Sequence, residues 1–395
     1  MKKNILGKVS YSVMSASLLA GLLTGCGAAG SGSGSSGDVI KIGANLELSG
    51  AVASYGQSIA KGIELGAEEI NKNGGINGKK IEIIKADNKS DAAEATNAAI
   101  KLTSQDKVAA IIGAATSGDT VAQVQIATDN KTVLLTPSGT SPNVTVGTSG
   151  KVNDYIFRTC FIDPFQGNVA ANFAAKNLNV KKAAIFADNA SDYAKGLAAS
   201  FKDTFSKAGG TVVAQESYVA KDTDFRATLT RIKAANPEFV FIPGYYEEVG
   251  LIIKQAREMG ITVPFMGGDG WDSPKLVELA GAAALNNTFI TNHYSSEDPD
   301  KTIQNFVTAF KGKYENKSPD AFNALGYDSV YLIADGIKRA GSTDGAKIKD
   351  AMAQTKDLAL VSGKITFDNQ HNPIKTATVL KYKDGKQQFE TKVNP

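Results

Sequence analysis

From residue 39 onward, short apolar runs alternate with stretches whose apolar positions recur every three or four residues. The short runs lie at 39–44, 80–87, 108–113, 132–136, 182–187, 211–218, 239–243, 263–267 and 288–292. Many are continuously apolar rather than alternating, as strands covered on both faces should be. The stretch 56–73 predicts a helix with Ile59, Ile63, Ala67 and Ile70 along one stripe and Lys61, Glu64, Glu68 and Lys72 facing outward. Asn73-Gly74-Gly75 ends it. Further helical patterns run over 118–130, 167–177, 193–208, 225–235, 247–259, 301–314 and 321–339. This alternation predicts an α/β fold built from two doubly wound parallel-sheet lobes. The end of the chain reads differently. Runs at 364–367 and 376–382, with Asp368-Asn369 and Asp384-Gly385 turns, predict terminal antiparallel strands.

The segment before this pattern has its own logic. Lys2, Lys3 and Lys8 are followed by a mostly apolar run over 9–23 and then by Leu23-Thr24-Gly25-Cys26. A basic start, a short apolar middle and small residues at the cut describe a secretory signal, too short and interrupted to span a membrane. The Leu-x-Gly-Cys ending resembles a bacterial lipobox, which implies removal of 1–25 and acylation of Cys26. An ordinary signal peptide with a chance Cys is the alternative. Residues 27–37 argue against it, being entirely Gly, Ala and Ser, a tether with a reach of roughly 18 Å. Gly32-Ser33-Gly34-Ser35-Ser36-Gly37 matches a dinucleotide fingerprint in letters only, since it precedes a strand and opens no helix.

Composition narrows the functional classes. The chain has 43 Lys and Arg against 40 Asp and Glu; without the three leader lysines the charge is balanced. With no arginine-rich helix or basic cluster, nucleic acid is not an expected partner. Cys160 has no partner once Cys26 is lipidated, so no disulfide is expected. His293 and His371 are the two histidines, too few for His/Cys metal sites or Ser–His nucleophilic pairs. No metal or cofactor is expected, and catalysis is the minority expectation.

In doubly wound lobes, ligands bind beyond the carboxyl ends of the strands. After 108–113 comes Ala114-Ala115-Thr116-Ser117-Gly118-Asp119, where Ser117 is placed to cap a helix whose amino end favours an anion. A Ser there is more often only a cap. After 132–136 comes Pro137-Ser138-Gly139-Thr140-Ser141, a second donor-rich turn. Two such turns without Lys or Arg suit a carboxylate better than a phosphate. The other candidate lobe offers the opposite sign. Its run 263–267 ends in Gly268-Asp269-Gly270-Trp271, where glycines let the backbone approach a ligand and Asp269 could pair with an ammonium. A solvated turn Asp is the plain alternative. Tyr193 and Tyr245 follow other strand ends and could wall a pocket, although a single Tyr is more often surface or core.

Over 40–383 the chain resembles the branched-chain amino-acid binding proteins of ABC importers. The resemblance rests on Leu48-Ser49-Gly50 through Tyr55-Gly56, Glu69-Ile70-Asn71 with Gly74-Gly75-Ile76-Asn77-Gly78, Thr136-Pro137-Ser138-Gly139-Thr140, and Phe265-Met266-Gly267-Gly268-Asp269-Gly270. It implies a periplasmic-binding-protein-like fold of type I, with one lobe from 38–158 plus 293–366 and the other from 159–292 plus 367–395. It implies that Ser117, Thr140 and backbone groups at Ser138 hold the ligand carboxylate. Asp269 would hold the ammonium, Gly270 would approach by its backbone, and Tyr55, Tyr193 and Tyr245 would line or close the cleft. Ala115 and Phe322 are candidates for its apolar wall. The chain departs from Gram-negative members in carrying Asp rather than Glu at 269, and in lacking a disulfide near Ser90 and Thr116.

The resemblance thus implies a monomer that takes a small amino acid and docks on ABC permease subunits. The lipid at Cys26 would hold it to the outer face of the membrane of a Gram-positive cell. Two alternatives remain open at this level: the same fold binding another amino acid or an amide-type ligand, or a ligand sensor.

Overall fold

The computed structural model describes residues 39–394. The leader, Cys26 and the Gly/Ser segment lie outside the described residues. Five strands, β1 (Ile40–Leu46), β2 (Ile81–Asp87), β3 (Ala110–Gly113), β4 (Val133–Thr136) and β5 (Ile156–Arg158), form one sheet in the order β2-β1-β3-β4-β5. All its pairings are parallel. The next five, β6 (Lys182–Asp188), β7 (Thr211–Tyr218), β8 (Phe239–Phe241), β9 (Phe265–Gly267) and β10 (Thr288–Asn292), repeat the same parallel order in a second sheet, β7-β6-β8-β9-β10. Each sheet therefore reverses its winding beside its first strand, and a crevice opens at that switch point. Central strands such as β3, β4 and β8 are buried throughout, whereas the edge strands β2 and β7 are only partly buried.

The last part of the chain forms antiparallel strands, as its pattern predicts. The run at 364–367 lies in a pair apart from the main sheets. Strands β11 (Leu358–Leu360) and β12 (Gly363–Ile365) form a separate antiparallel pair. Strand β13 (Ala377–Lys383) does extend the second sheet, antiparallel to β10, and β14 (Lys386–Val393) folds back along it. Asp384 and Gly385 both have positive φ, 51° and 74°, the requirement of a tight hairpin turn whose twist matches the strands.

Three differences from the predicted pattern are local. The helix expected over 118–130 is two helices, Ser117–Val121 and Val124–Asp129. Between them Gln123 N–H donates to Thr120 O rather than to Asp119 O one residue further back, and the Gln123 side-chain amide donates to that Asp119 carbonyl instead. The helix expected over 167–177 starts at Asp163 and ends in a wider π turn, Phe173–Asn177. Helices Ala92–Ile100 and Gly345–Ala353 carry too few large apolar residues to show a stripe; Asp91 and Asp344 nonetheless cap them.

Helix Ala53–Lys72 crosses helix Ala321–Ala340 at two glycines. A Cβ on Gly62 would lie 2.0 Å from Asn323 O, and one on Gly326 would lie 2.3 Å from Ile59 O. Both obstacles are backbone, which cannot swing aside as a side chain would. The close approach buries Ile59, Ile63, Leu325 and Val330. It also aims the amino end of each helix toward the second sheet, where Ala321 N–H donates to Asp272 Oδ2 at 2.8 Å. Gly326→Ala is expected to destabilise the protein by about 1–3 kcal/mol through overpacking. A urea-unfolding midpoint equal to that of the parent would refute the close-contact reading.

Candidate functional site

The loops at the carboxyl ends of both sheets converge on one small cavity of about 10 Å³, largely filled by its own walls. From the first sheet come Tyr55, Ala115, Thr116, Ser117, Ser138 and, from helix Ala321–Ala340, Phe322. From the second come Tyr193, Tyr245, Asp269 and Gly270. Seven of the eight residues named as ligand contacts from sequence thus border one space, together with Ala115 and Phe322. Thr140 is not among its lining residues. Its hydroxyl is buried beside the Asp163 carboxyl without a well-formed hydrogen bond.

Asp269 is 3% exposed, and its carboxylate is held by three donors. Oδ1 accepts from Tyr193 O–H at 2.9 Å and from Gln166 Nε2 at 3.0 Å, and Oδ2 lies 2.9 Å from His293 Nε2. Gln166 is itself fixed, because its Oε1 accepts from Asp269 N–H at 2.6 Å and from the Thr291 hydroxyl at 2.7 Å. Among the described residues this carboxylate has no ion-pair partner other than His293. Burial pushes the His293 imidazole below its ordinary pKa, against the pull of Asp269. A buried carboxylate with oriented donors and no permanent cation is suited to a cationic ligand.

The opposite wall is a turn held from behind. Glu47, fully buried, accepts from Ala115 N–H and Thr116 N–H, both at 2.9 Å. Thr116, not Ser117, caps helix Ser117–Val121 by accepting from Asp119 N–H. Ser117 is instead the first helical residue; its Oγ accepts from Ser141 N–H at 3.1 Å, which leaves its own proton for an acceptor. Ser138 Oγ donates to Ala115 O at 2.8 Å and so ties the two turns together. Arg158, also fully buried, pins the second turn through Gly139 O at 2.7 Å and Ser141 O at 2.9 Å.

Tyrosines join the walls. Tyr55 O–H donates to Gly270 O and accepts from Tyr246 N–H at 3.3 Å, while Gly270 N–H donates to Tyr193 Oη at 3.0 Å. Both backbone groups of Gly270 are therefore taken by tyrosines, so it meets the cavity by its contour rather than by a free donor. Tyr245 stacks on Tyr193 at 5.2 Å and meets Tyr55 edge-on at 5.8 Å; Phe322 stacks on Tyr55 at 4.4 Å. Ser54 Oγ and Ser273 Oγ, 2.7 Å apart, and Tyr246 O–H donating to Ala51 O at 3.1 Å add to the seam. The cavity is closed in this arrangement.

Sequence reasoning missed Gln166, His293, Glu47 and Arg158. Glu47 had a signal, an acid directly after a mostly apolar strand; His293 directly follows strand β10 but was read only as evidence of histidine scarcity. Cys160 is a free, buried thiol, and burial pushes its pKa up to about 12.

The sequence profile described as periplasmic binding protein matches residues 39–387. The chain belongs to that family. Among solved structures it is similar to the branched-chain amino acid transporter substrate-binding protein LivJ of Streptococcus pneumoniae, in complex with isoleucine. Identity there is 42%, with 91% of this chain and 100% of that chain covered and a TM-score of 0.85. The leucine-binding protein LivK of Thermotoga maritima is 37% identical, covers 90% and 99%, and also has a TM-score of 0.85. A Leu/Ile/Val-binding protein homolog of Brucella melitensis is 32% identical over 88% of this chain and 92% of its own length. The family and fold are those of substrate-binding proteins, and the two-sheet architecture agrees with these neighbours. Among the described residues no helix is long and apolar enough to cross a membrane.

The acid behind the anion-facing turn leads to a prediction. Burial first, then the neighbouring Asp119 charge, pushes Glu47 up to about 8; Asp119 is likewise raised, by burial first. A carboxyl raised in the folded state binds more protons there than when unfolded. Its stabilising effect is full below the ordinary carboxylate range and is lost as pH rises toward about 8. Unfolding free energy is therefore expected to fall between about pH 5 and pH 8, and the slope should be shallower in Asp119→Asn. Parallel urea titrations across that window would show identical slopes if the pair shares no proton.

Proposed function

We propose that the protein captures a branched-chain amino acid, leucine, isoleucine or valine, outside the cytoplasmic membrane and delivers it to the permease of an ABC importer. It acts by binding and release rather than by catalysis. The carrying observation is one small cavity with a carboxylate on one wall and hydroxyl and amide donors on the other. Asp269 takes the ammonium. The Ser117 hydroxyl takes the carboxylate, with help from first-turn amides that have no intrahelical acceptor. Phe322, Ala115 and the ring faces of Tyr55 and Tyr245 supply an apolar surround for the side chain.

The same geometry supports a hinge-closing trap. The lobes 38–158 plus 293–366 and 159–292 plus 367–395 each carry half of the site, so a zwitterion gains its full set of contacts only when they meet. The ligand then stabilises the closed form by that difference. Acylation of Cys26 would leave a monomeric trap leashed near its permease, which suits a cell without an outer membrane.

Titration calorimetry with L-leucine, L-isoleucine and L-valine tests the reading. Asp269→Asn is expected to lose about 2 kcal/mol, or about thirtyfold in affinity, the scale of breaking a desolvated charge pair. Normal leucine binding by that variant would remove Asp269 from the site. Tyr55→Phe loses the hydrogen bond to Gly270 across the seam and should weaken binding by about 1 kcal/mol, chiefly through faster dissociation in stopped-flow traces. An unchanged off-rate would show that the bond does not hold the closed form.

A further inference from the structure

His293 lies at the exit of β10, between the ammonium subsite and an outer cavity of about 250 Å³. Its ring stacks on Phe161 at 3.9 Å, its Nε2 lies 2.9 Å from Asp269 Oδ2, and its Nδ1 is buried with no hydrogen-bond partner. Because Asp269 offers only lone pairs, Nε2 carries the proton of the neutral ring and Nδ1 is left bare. We propose, building on the amino-acid reading above, that His293 is a positioning residue of the ammonium subsite and that the ligand requires it neutral. Its Nε2–H aims the Asp269 carboxylate, and a proton added at Nδ1 creates an imidazolium that competes with the ligand ammonium for that one anion.

The surrounding charges favour this competition. Asp272 acts on the imidazole in the same sense as Asp269, whereas Lys375 opposes its charging. Asp272 is already engaged by Asn292, Ala321 N–H and Gln387. Lys375 is bound to Thr159 O and Ser362 Oγ. Asp163 and Cys160 lie near Asp269, and burial raises both above their ordinary pKa values, toward the neutral form. Asp298, which borders the outer cavity with His293, pairs with Lys392. Asp269 is therefore the anion that imidazolium and ammonium must share, and two cations on one buried carboxylate leave one uncompensated.

The sign follows from linkage. A bound ammonium cancels the pull of Asp269 on the imidazole proton, so ligand lowers the pKa of His293 and binding expels a proton where the free protein holds one. Calorimetry of L-leucine on the full chain at about pH 7.5 and about pH 5, in buffers of different ionisation enthalpy, reads this directly. Wild-type affinity should fall about threefold or more at the lower pH, with net proton release on binding. His293→Gln, whose amide can donate to Asp269 but does not titrate in this range, should bind with a flat profile. Equal pH slopes in wild type and His293→Gln, or no proton release by the wild type near pH 5, would overturn the proposal. The proton count needs no variant, so absence of release overturns the proposal even if His293→Gln does not fold. Failure of all three branched-chain amino acids to bind at about pH 7.5 would instead sink the amino-acid reading, and this inference with it.

Discussion

A carboxylate taken out of water without a cation beside it is the constraint around which the site is arranged. Asp269 is buried, and the cost of burying its charge is met only in part by neutral donors. Tyr193, Gln166 and His293 orient it, but none brings a permanent positive charge. The surrounding structure can be read outward from that fact. Gln166 is locked from both ends, His293 is held flat against Phe161, and the face of Asp269 left over is the one that borders the cavity. An incompletely compensated buried charge is suited to a group of opposite charge, which is what the proposed ammonium contact requires.

The second wall obeys the same physics with the sign reversed. The turns after β3 and β4 present donors, and what holds them in place is buried polarity behind them: Glu47 below the first turn and Arg158 below the second. Each of these buried side chains spends hydrogen bonds on backbone groups, so the turns cannot relax and swallow the donors they present to the cavity. The two sheets repeat one strand order, and the repeat brings these opposite-signed strand ends face to face. The seam between them is aromatic. Tyr55, Tyr193 and Tyr245 fill space with rigid rings, and the hydroxyls of Tyr55 and Tyr193 take both backbone groups of Gly270, so closure does not orphan them.

Much of this was legible in the residues. The continuously apolar runs announced two-sided burial, and β1, β3, β4, β6, β8, β9 and β10 lie within or beside them. Gly268-Asp269-Gly270 and the Ser117 and Ser138 turns were visible because a ligand at a strand's carboxyl end needs donors or acceptors there. Strand β5 was missed because three residues make no pattern, and helix Ala92–Ile100 because it buries only Ala95 and Ala99. The cap was assigned one residue late, since Thr116 and Ser117 are both capable acceptors and only the backbone turn chooses between them. Thr140 was assigned a ligand role, yet the fold turns its hydroxyl toward Asp163.

The amino-acid sequence by itself determined the alternation of elements, the sign of each cleft wall and the identity of the residues at the strand ends, because these depend on neighbours along the chain. The tertiary structure decided which buried groups stand behind them. Gln166 reaches Asp269 across 103 positions and Glu47 reaches Thr116 across 69. No local periodicity records such pairings, because they exist only to satisfy polar groups that folding removes from water.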